Sequence, residues 1–261
     1  MRKIMLFNIL LATLIIAASA RGIDVKNDPA IIGLWLLDEG SGTVIGDSSG
    51  NGNDGKTSGD FTWGDGKFGQ AIIAPGTGQI DVAVSPSLNK VTKAMTIAAW
   101  FRVDVDSDTG IRRQNAYLLE DQSSSEPVPD SFSFRIWTSN GLSPGVYGKT
   151  KLEKKKWNHV AGTYDGVQMM LYINGVPEKE LLSDANAAID GKWGGDIGTP
   201  ADNLQLKYGS ESFTGGMDEI MLFSRALSAN EIKELMSGAI PTIAVNPYTK
   251  ITSAWAAIKR H

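Results

Sequence analysis

The 261-residue chain contains no cysteine. That excludes disulfide staples and thiolate metal sites, so the fold must rest on an apolar core, on hydrogen bonds or on a hard cation. Histidine is almost as scarce, with His159 the only one ahead of the terminal His261. A zinc centre or a catalytic relay built on one imidazole finds no partner in the sequence, and the place of His159 in an alternating segment points to a structural hydrogen-bonding role. An excess of positive charge is also missing. With 25 Lys and Arg against 29 Asp and Glu the formal charge is −4, without the electrostatic footprint of a nucleic-acid binder. No internal repeat or low-complexity array is visible.

Long hydrophobic runs are lacking except at the start. Residues 4–18 are apolar apart from Asn8 and Thr13, follow Arg2 and Lys3, and lead into Ala18-Ser19-Ala20. The run is shorter than the roughly twenty residues a spanning helix needs. It predicts a signal peptide over 1–20, removed after Ala20, and hence a secreted protein, extracellular or periplasmic, with no membrane span in the mature chain. Losing Arg2 and Lys3 with the leader takes the formal charge from −4 to −6. The remaining length suits one large β-sandwich.

What the sequence does have is short alternating segments. Residues 31–37 form a continuous apolar run, and strands are expected over 70–74, 79–84, 94–103, 117–120, 131–137, 157–164, 168–173 and 176–182. Asp165-Gly166 and Asn174-Gly175 accept positive φ at low cost and predict hairpin turns. Residues 38–66 are rich in Gly, Ser, Asn and Asp and are expected to be a long loop, which inside a compact domain is usually functional. The segment 217–224 carries apolar bulk in both phases, Met217, Glu219, Met221 and Phe223 against Asp218, Ile220, Leu222 and Ser224, as a strand buried on two sides would. One helix follows. Ser228 is its N-cap, Glu231 its capping-box partner, Leu227 and Ile232 a hydrophobic staple, and Gly238 its stop. Residues 21–30 are expected to be a polar lead-in and 239–261 an appendage outside the domain.

Four motifs occur in order: W-L-L-D-E-G-S-G from Trp35, D-S-S-G-N-G-N-D-G from Asp47, W-N-H-V-A-G-T-Y-D-G from Trp157 with L-Y-I-N-G ending at Gly175, and G-x-M-D-E-I-x-x-F-x-R-A-L-S-x-x-E-I from Gly215. Together they resemble the bacterial laminin-G-like members of the concanavalin A-like lectin/glucanase superfamily, over residues 31–238. The resemblance implies an all-β fold, an antiparallel jelly-roll β-sandwich with one short C-terminal helix. It is more specific for fold than for function, because one fold hosts many functions.

Catalysis is testable by its carboxylates. The superfamily's glucanases, as the resemblance implies, set two carboxylates at E-x-D-x-x-E spacing on one strand, and no such string exists here. Glu178 and Glu180 are two residues apart but lack the third member, so they are expected to be solvated and the protein to be non-catalytic. The segment from Asp104 to Gly110 begins like an EF-hand loop, but its sixth position is Thr109 and its twelfth Asn115, where that loop needs Gly and Glu.

Calcium is the better metal, since hard cations take carboxylate, amide and carbonyl oxygens. The resemblance implies an ion joining the amino-terminal loop to the penultimate strand, which carries over to Asp47, Asn53 and Asp218. The alternative is that Asp47 and Asn53 make Asx turns while Asp218 pairs with Arg225 or with backbone donors. Trp63, Trp137, Tyr147, Trp193 and Tyr208 lie in or beside polar, glycine-containing segments, where an aromatic face can stack on a sugar; the alternative is that they serve the core or anchor loops. The expected function is that of a secreted, lectin-like, carbohydrate-binding module with a structural calcium. A protein-binding, adhesive laminin-G-type domain is the alternative, and a glycoside hydrolase or lyase the third reading. The expected partner is a glycan or an extracellular protein, and not a nucleic acid.

Overall fold

A computed structural model of the chain describes residues 23–238, apart from 75–77, 106–109, 122–128, 140, 142, 179–181, 184–195, 199–200 and 210–213. The expected leader, over 1–20, and the appendage, over 239–261, lie outside the described residues. The strands are β1 (Ile31–Trp35), β2 (Val44–Ile45), β3 (Gly55–Gly59), β4 (Thr62–Asp65), β5 (Gln70–Ala74), β6 (Gly78–Val82), β7 (Met95–Val105), β8 (Gly110–Arg113), β9 (Tyr117–Asp121), β10 (Phe132–Ile136), β11 (Gly145–Tyr147), β12 (Trp157–Tyr164), β13 (Met169–Ile173), β14 (Val176–Pro177), β15 (Leu182–Ser183), β16 (Leu204–Gly209) and β17 (Thr214–Phe223), followed by helix α1 (Ala229–Leu235).

They form two antiparallel sheets packed as a sandwich. One has eight strands in the order β14-β13-β12-β7-β17-β5-β4, with β1 also paired to β17; the other has nine, in the order β15-β11-β10-β9-β8-β16-β6-β3-β2. The all-β jelly-roll expectation therefore holds. Between the sheets lie Ile72, Ile97, Phe101, Val160, Met217 and Leu222 from one side and Ile80, Ile111, Leu119, Phe132, Phe134 and Leu204 from the other. Phe101 and Phe132 meet across the interface with ring centroids 4.7 Å apart. Each such side chain contributes roughly 1.5–3 kcal/mol by leaving water. A second cluster covers the outer face of the eight-stranded sheet, where Ile232 and Leu235 of α1 pack on Leu34, Ala98, Ala161, Met221 and Phe223.

Strand β17 is thus buried on both faces, as expected, but its two faces are not those of strict alternation. Glu219 adopts φ 49, and the register against β7 slips between Asp218 and Met221. This bulge inserts one residue and inverts the phase beyond it. Met217, Ile220 and Leu222 therefore share the core between the sheets, while Met221 and Phe223 face α1. The slip also lets β17 pair with β5 over its first half and with β1 over its second.

Local signals elsewhere fared unevenly. The hairpin turns are as expected, with Asn174 at φ 50 and Gly175 at φ 73. Ser228 caps α1 through Glu231 N–H, Glu231 answers on Ser228 N–H, and Gly238 closes the end at φ 65. Residues 38–66, expected as a loop, contain β2, β3 and β4. Glycine permits this, because a Cβ on Gly55 would stand 2.4 Å from Ile80 Cγ2. The lead-in is not loose: Val25 joins the outer cluster, Arg225 pairs with Asp28 at 2.6 Å and Ile23 N–H donates to Glu234 at 2.5 Å. The strand expected over 176–182 divides into β14 and β15, which belong to different sheets.

Candidate functional site

Alternation along the nine-stranded sheet sends Phe134, Leu119, Ile111, Leu204 and Ile80 inward and leaves the intervening residues on its outer face. Register across the strands then lines up Arg135, Leu118, Arg112, Gln205 and Asp81 as one half-exposed row. At one end of this row Arg135 is held between two aromatics. Its guanidinium lies 6.0 Å from the ring centre of Trp137 and 5.8 Å from that of Tyr147, donates to Tyr147 Oη and donates to Ser143 O at 3.0 Å. Such cation–π contacts are worth about 0.5–1 kcal/mol each at exposed positions, and they fix two half-exposed rings beside a planar cluster of donors.

At the other end is a cavity of about 490 Å³ lined by Gln114, Ala201, Asp202, Asn203 and Gln205. Its rim is held by Arg112 donating to Gln114 Oε1, Gln205 donating to Asp81 Oδ1 at 3.4 Å, and Asn203 Oδ1 accepting from Val84 N–H. The fully buried Arg113 lies beneath, donating to Asp202 O, Leu88 O and Asn89 Oδ1. Neighbouring strands are about 4.8 Å apart, so Arg135 and Gln205, three strands away, span about 14 Å. Aromatic faces at one end and side-chain amides at the other suit a polyhydroxylated ligand.

Of the five aromatics weighed as ligand contacts, Trp137 and Tyr147 come together here. Trp193 lies outside the described residues, and Tyr208 falls on β16 with its side chain not described. Trp63 packs against the core and edge-on to Phe61, 6.1 Å between centroids. Arg135 organises the pair and was not singled out from sequence. Its signal was there, since Arg135 and Trp137 share the outward phase of their segment; the register that brings in Tyr147, through Ser133 on β10, is not local.

The second constellation surrounds the acidic pair of β17. Asp218 is fully buried. Its Oδ2 accepts from Lys67 N–H at 2.7 Å and Phe68 N–H at 3.0 Å, and its Oδ1 from Glu219 N–H at 2.9 Å. Burial nevertheless pushes its pKa up to about 7, with Asp38 adding to the rise against those hydrogen bonds. Glu219, 3 % exposed, is pushed up to about 8 by burial and then by Asp218 and Asp38. Its Oε2 has no hydrogen-bond partner among the described residues. The turn over 66–70 closes this site from above. Lys67 sits 4.2 Å over the Trp100 ring, and a Cβ on Gly66 would fall 2.5 Å from Gln70 O, 2.6 Å from Phe68 O and 2.7 Å from Asp218 Oδ2.

The calcium that the family resemblance implies meets a divided ligand set. Asp47 accepts from Leu34 N–H and Ser49 N–H on Oδ1 and from Asn53 N–H on Oδ2. Asn53 accepts from Ser85 and Ser87 Oγ and donates to Ile32 O. Asp47 therefore spends its oxygens on the 47–53 turn and β1, Asn53 spends its oxygen on Ser85 and Ser87, and neither shares a hydrogen-bond partner with Asp218. Arg225 is likewise engaged elsewhere, with Asp28 and Glu231. Among the described residues no three acidic or imidazole side chains converge as a ligand set. Asp218 is held in the same way, by three backbone N–H donors, in line with the alternative expectation; the carboxylate oxygen left without a donor among the described residues is Oε2 of Glu219, the next residue along, and that is the oxygen a hard cation would find open.

Two further expectations change. His159 is buried, edge-on to Trp100 at 5.3 Å, and its Nδ1 has no hydrogen-bond partner among the described residues. Burial lowers its pKa to about 3, so it serves as a neutral packing ring. Glu178 is not solvated: it is 8 % exposed, and its Oε2 accepts from Lys149 N–H at 3.1 Å. Glu180 lies outside the described residues.

The chain belongs to the laminin-G-like family Laminin_G_3, of the Concanavalin A-like lectin/glucanases superfamily, whose model matches residues 74–233. A curated relative is usherin from Mus musculus, 26% identical over 119 residues that make up 45% of this chain and 2% of usherin. Among solved structures, the fold is similar to domain 4 of AbnA, a GH43 extracellular arabinanase from Geobacillus stearothermophilus in complex with arabinotriose, at TM-score 0.58 and 19% identity over 79% of this chain and 98% of that one. It is also similar to the binding domain of Paraclostridial Mosquitocidal Protein 1, at TM-score 0.62 and 17% identity over 82% and 53%. The binding domain of Botulinum Neurotoxin DC in complex with SialylT gives TM-score 0.60 and 13% identity over 82% and 52%. This chain thus spans about half the length of the two toxin binding domains. No described helix is long and apolar enough to cross a membrane.

Proposed function

We propose that the protein is a secreted, non-catalytic recognition module that binds carbohydrate on the outer face of its nine-stranded sheet, stabilised by a calcium beneath the 66–70 turn. The observation that carries this reading is the half-exposed row from Tyr147 and Trp137, through Arg135 and Arg112, to the amide-lined cavity at Gln114 and Gln205. Ring faces stack on the apolar side of a sugar, and amides and guanidinium groups pair with its hydroxyls. The arabinotriose and SialylT complexes of proteins with this fold lend support. Calcium there would draw on the Asp218 and Glu219 carboxylates with carbonyl oxygens of the turn, and would supply positive charge to two buried acids.

A protein ligand is the second reading, favoured by a Botulinum neurotoxin DC binding domain of this fold in complex with rat synaptotagmin II. Isothermal titration and affinity electrophoresis against a glycan panel that includes arabinan separate the two. Arg135→Ala and Trp137→Ala are each expected to weaken glycan binding about tenfold, the equivalent of 1.4 kcal/mol, with melting temperatures close to the parent's. A protein that binds no glycan on the panel, or variants that bind as well as the parent, would refute the groove.

A further inference from the structure

The outer face of the eight-stranded sheet is covered along only part of its length. Among the outward residues of β7, Thr96 donates to Arg225 O and accepts from Leu227 N–H, Ala98 packs under α1, and Trp100 lies under Lys67 of the 66–70 turn. All three are buried. The cover stops there: Arg102 and Asp104, the next two outward residues, keep 25% and 18% of their side chains exposed.

Register places Trp157, Arg102, Gly216, Ile73 and Thr62 in one row across this open stretch, on β12, β7, β17, β5 and β4. The glycine at its centre matters, because a Cβ on Gly216 would fall 2.8 Å from Cη2 of Trp157 and 3.0 Å from Cδ1 of Ile73. The indole therefore reaches past β7 toward β17 and meets Ile73 over bare backbone. The Arg102 guanidinium lies 5.8 Å from the ring centre of Trp157 and donates to both carboxylate oxygens of Asp104, each at 3.1 Å. Trp157, Arg102 and Ile73 are half-exposed and Thr62 is exposed. On the opposite side of the sandwich, this repeats the pairing of a half-exposed tryptophan with a fixed arginine that Trp137 and Arg135 make in the groove.

We propose that this row is a second carbohydrate-binding site, for an uncharged polysaccharide, on the face opposite the groove. Trp157 opens the W-N-H-V-A-G-T-Y-D-G motif. Burial accounts for Asn158, His159 and Val160 behind it but leaves this ring half in water. The occupant follows from complementarity around the ring. Arg102 and Asp104 present donors and acceptors side by side with the cation already paired, which matches neighbouring hydroxyls better than an anion. Thr62 adds a hydroxyl, and the indole and Ile73 offer apolar surface to the C–H face of a sugar. The choice of a glycan over a protein rests on the reading of the groove as a glycan site. Two sites facing opposite ways make the domain bivalent, so it holds a polymer more tightly than either site holds a short oligosaccharide.

The test is isothermal titration of the whole protein with tetrasaccharides of arabinan, xylan and mixed-linkage β-glucan, beside affinity electrophoresis in gels of the same polymers. The parent is expected to take the tetrasaccharide it binds at two sites per chain. Trp157→Leu keeps apolar bulk over Gly216 while removing the ring, and should leave one site, weaken retention by the polymer at least about tenfold and melt close to the parent. Arg102→Gln loosens the fork at a more exposed position and should do the same, which keeps the test open if the leucine variant unfolds. Trp137→Ala should also leave one site, and Trp137→Ala with Trp157→Leu none. In Trp137→Ala the ligand is expected to shield tryptophan fluorescence from acrylamide, and adding Trp157→Leu should abolish that shielding, a readout that a merely structural ring would not move. One site in the parent, unchanged by Trp157→Leu and Arg102→Gln, would overturn the proposal and leave the groove intact. One site lost in those two variants but kept in Trp137→Ala would support it and remove the groove. A parent that binds no tetrasaccharide and no polymer, or one that instead binds a protein through Trp157, would overturn it.

Discussion

Two acids that fold into burial with raised pKa values make the calcium-free protein acid-preferring. Asp218 moves from the ordinary range to about 7 and Glu219 to about 8. Because the folded values lie above the unfolded ones, the native state binds more protons than the unfolded chain between about pH 4 and pH 8, and stability falls as pH rises through that window. For Asp218 alone, a displacement from about 4 to about 7 corresponds to about 4 kcal/mol between the two ends. The two carboxyls titrate as a coupled pair, so their contributions are not summed. For a domain of about 200 residues, 4 kcal/mol is roughly 10 °C in melting temperature. Melting curves in chelator from pH 5 to pH 8.5 should show that decline. Calcium bound as proposed would reverse the logic, since it would take the ionised acids: its stabilisation should then grow with pH and reach about 2.7 kcal/mol at a hundredfold excess over Kd. Glu219→Gln then makes a prediction of opposite signs. Without calcium above pH 8 it should melt higher than the parent, because it removes a buried charge with no partner among the described residues; with calcium it should gain less. A parent whose melting temperature in chelator is flat or rising from pH 5 to pH 8, or a Glu219→Gln variant that keeps the full calcium response, would refute the reasoning.

Other perturbations read other parts of the molecule. Asn53→Ala removes the acceptor that Ser85 and Ser87 share, leaving those hydroxyls to each other, and one of three side-chain donors to Ile32 O, and should cost about 1–2 kcal/mol by chemical denaturation. Asp47→Ala should destabilise by a similar amount while leaving the calcium response untouched, because its oxygens hold the turn and not the ion; a lost response would return Asp47 to the metal site. Ser228→Ala removes the half of the capping box in which Ser228 Oγ accepts from Glu231 N–H, leaving Ser228 N–H on the Glu231 carboxylate, and should cost about 1 kcal/mol, seen as earlier amide exchange in α1.

Much of the fold was legible because strand alternation and turn chemistry are local. Met95, Ile97, Ala99 and Phe101 announce β7, and Asn174-Gly175 announces its hairpin, whatever lies elsewhere. The bulge at Glu219 was not legible, since the two neighbours that demand it, β7 and β1, lie far off in sequence. Strands β2, β3 and β11 were missed for a different reason: they are short and carry little apolar bulk, and backbone pairing holds them. The site divides along the same line. Trp137 and Tyr147 were visible as aromatics in polar surroundings, but the cross-strand register that seats both on Arg135 was not. Asp218 was visible as a buried acid, whereas the backbone donors that hold it come from Lys67 and Phe68, 151 and 150 residues away in the chain.

The position of β17 sets a constraint in time as well as in space. It fills the slot between β7, β5 and β1, yet among the described strands it is the last to leave the ribosome, some 180 residues after β1. At about 5–20 residues per second, the apolar edge of β1 waits roughly 10–40 seconds for its partner, and one edge of β7, which ends at Val105, waits roughly 5–20 seconds. Pairings of such sequence separation form slowly even once the chain is complete. The nascent chain therefore carries one unsatisfied strand edge through most of its synthesis and a second once β7 is made, and changes that weaken β17 should be felt as lost yield and aggregation of the newly made protein before they are felt as a lower melting temperature.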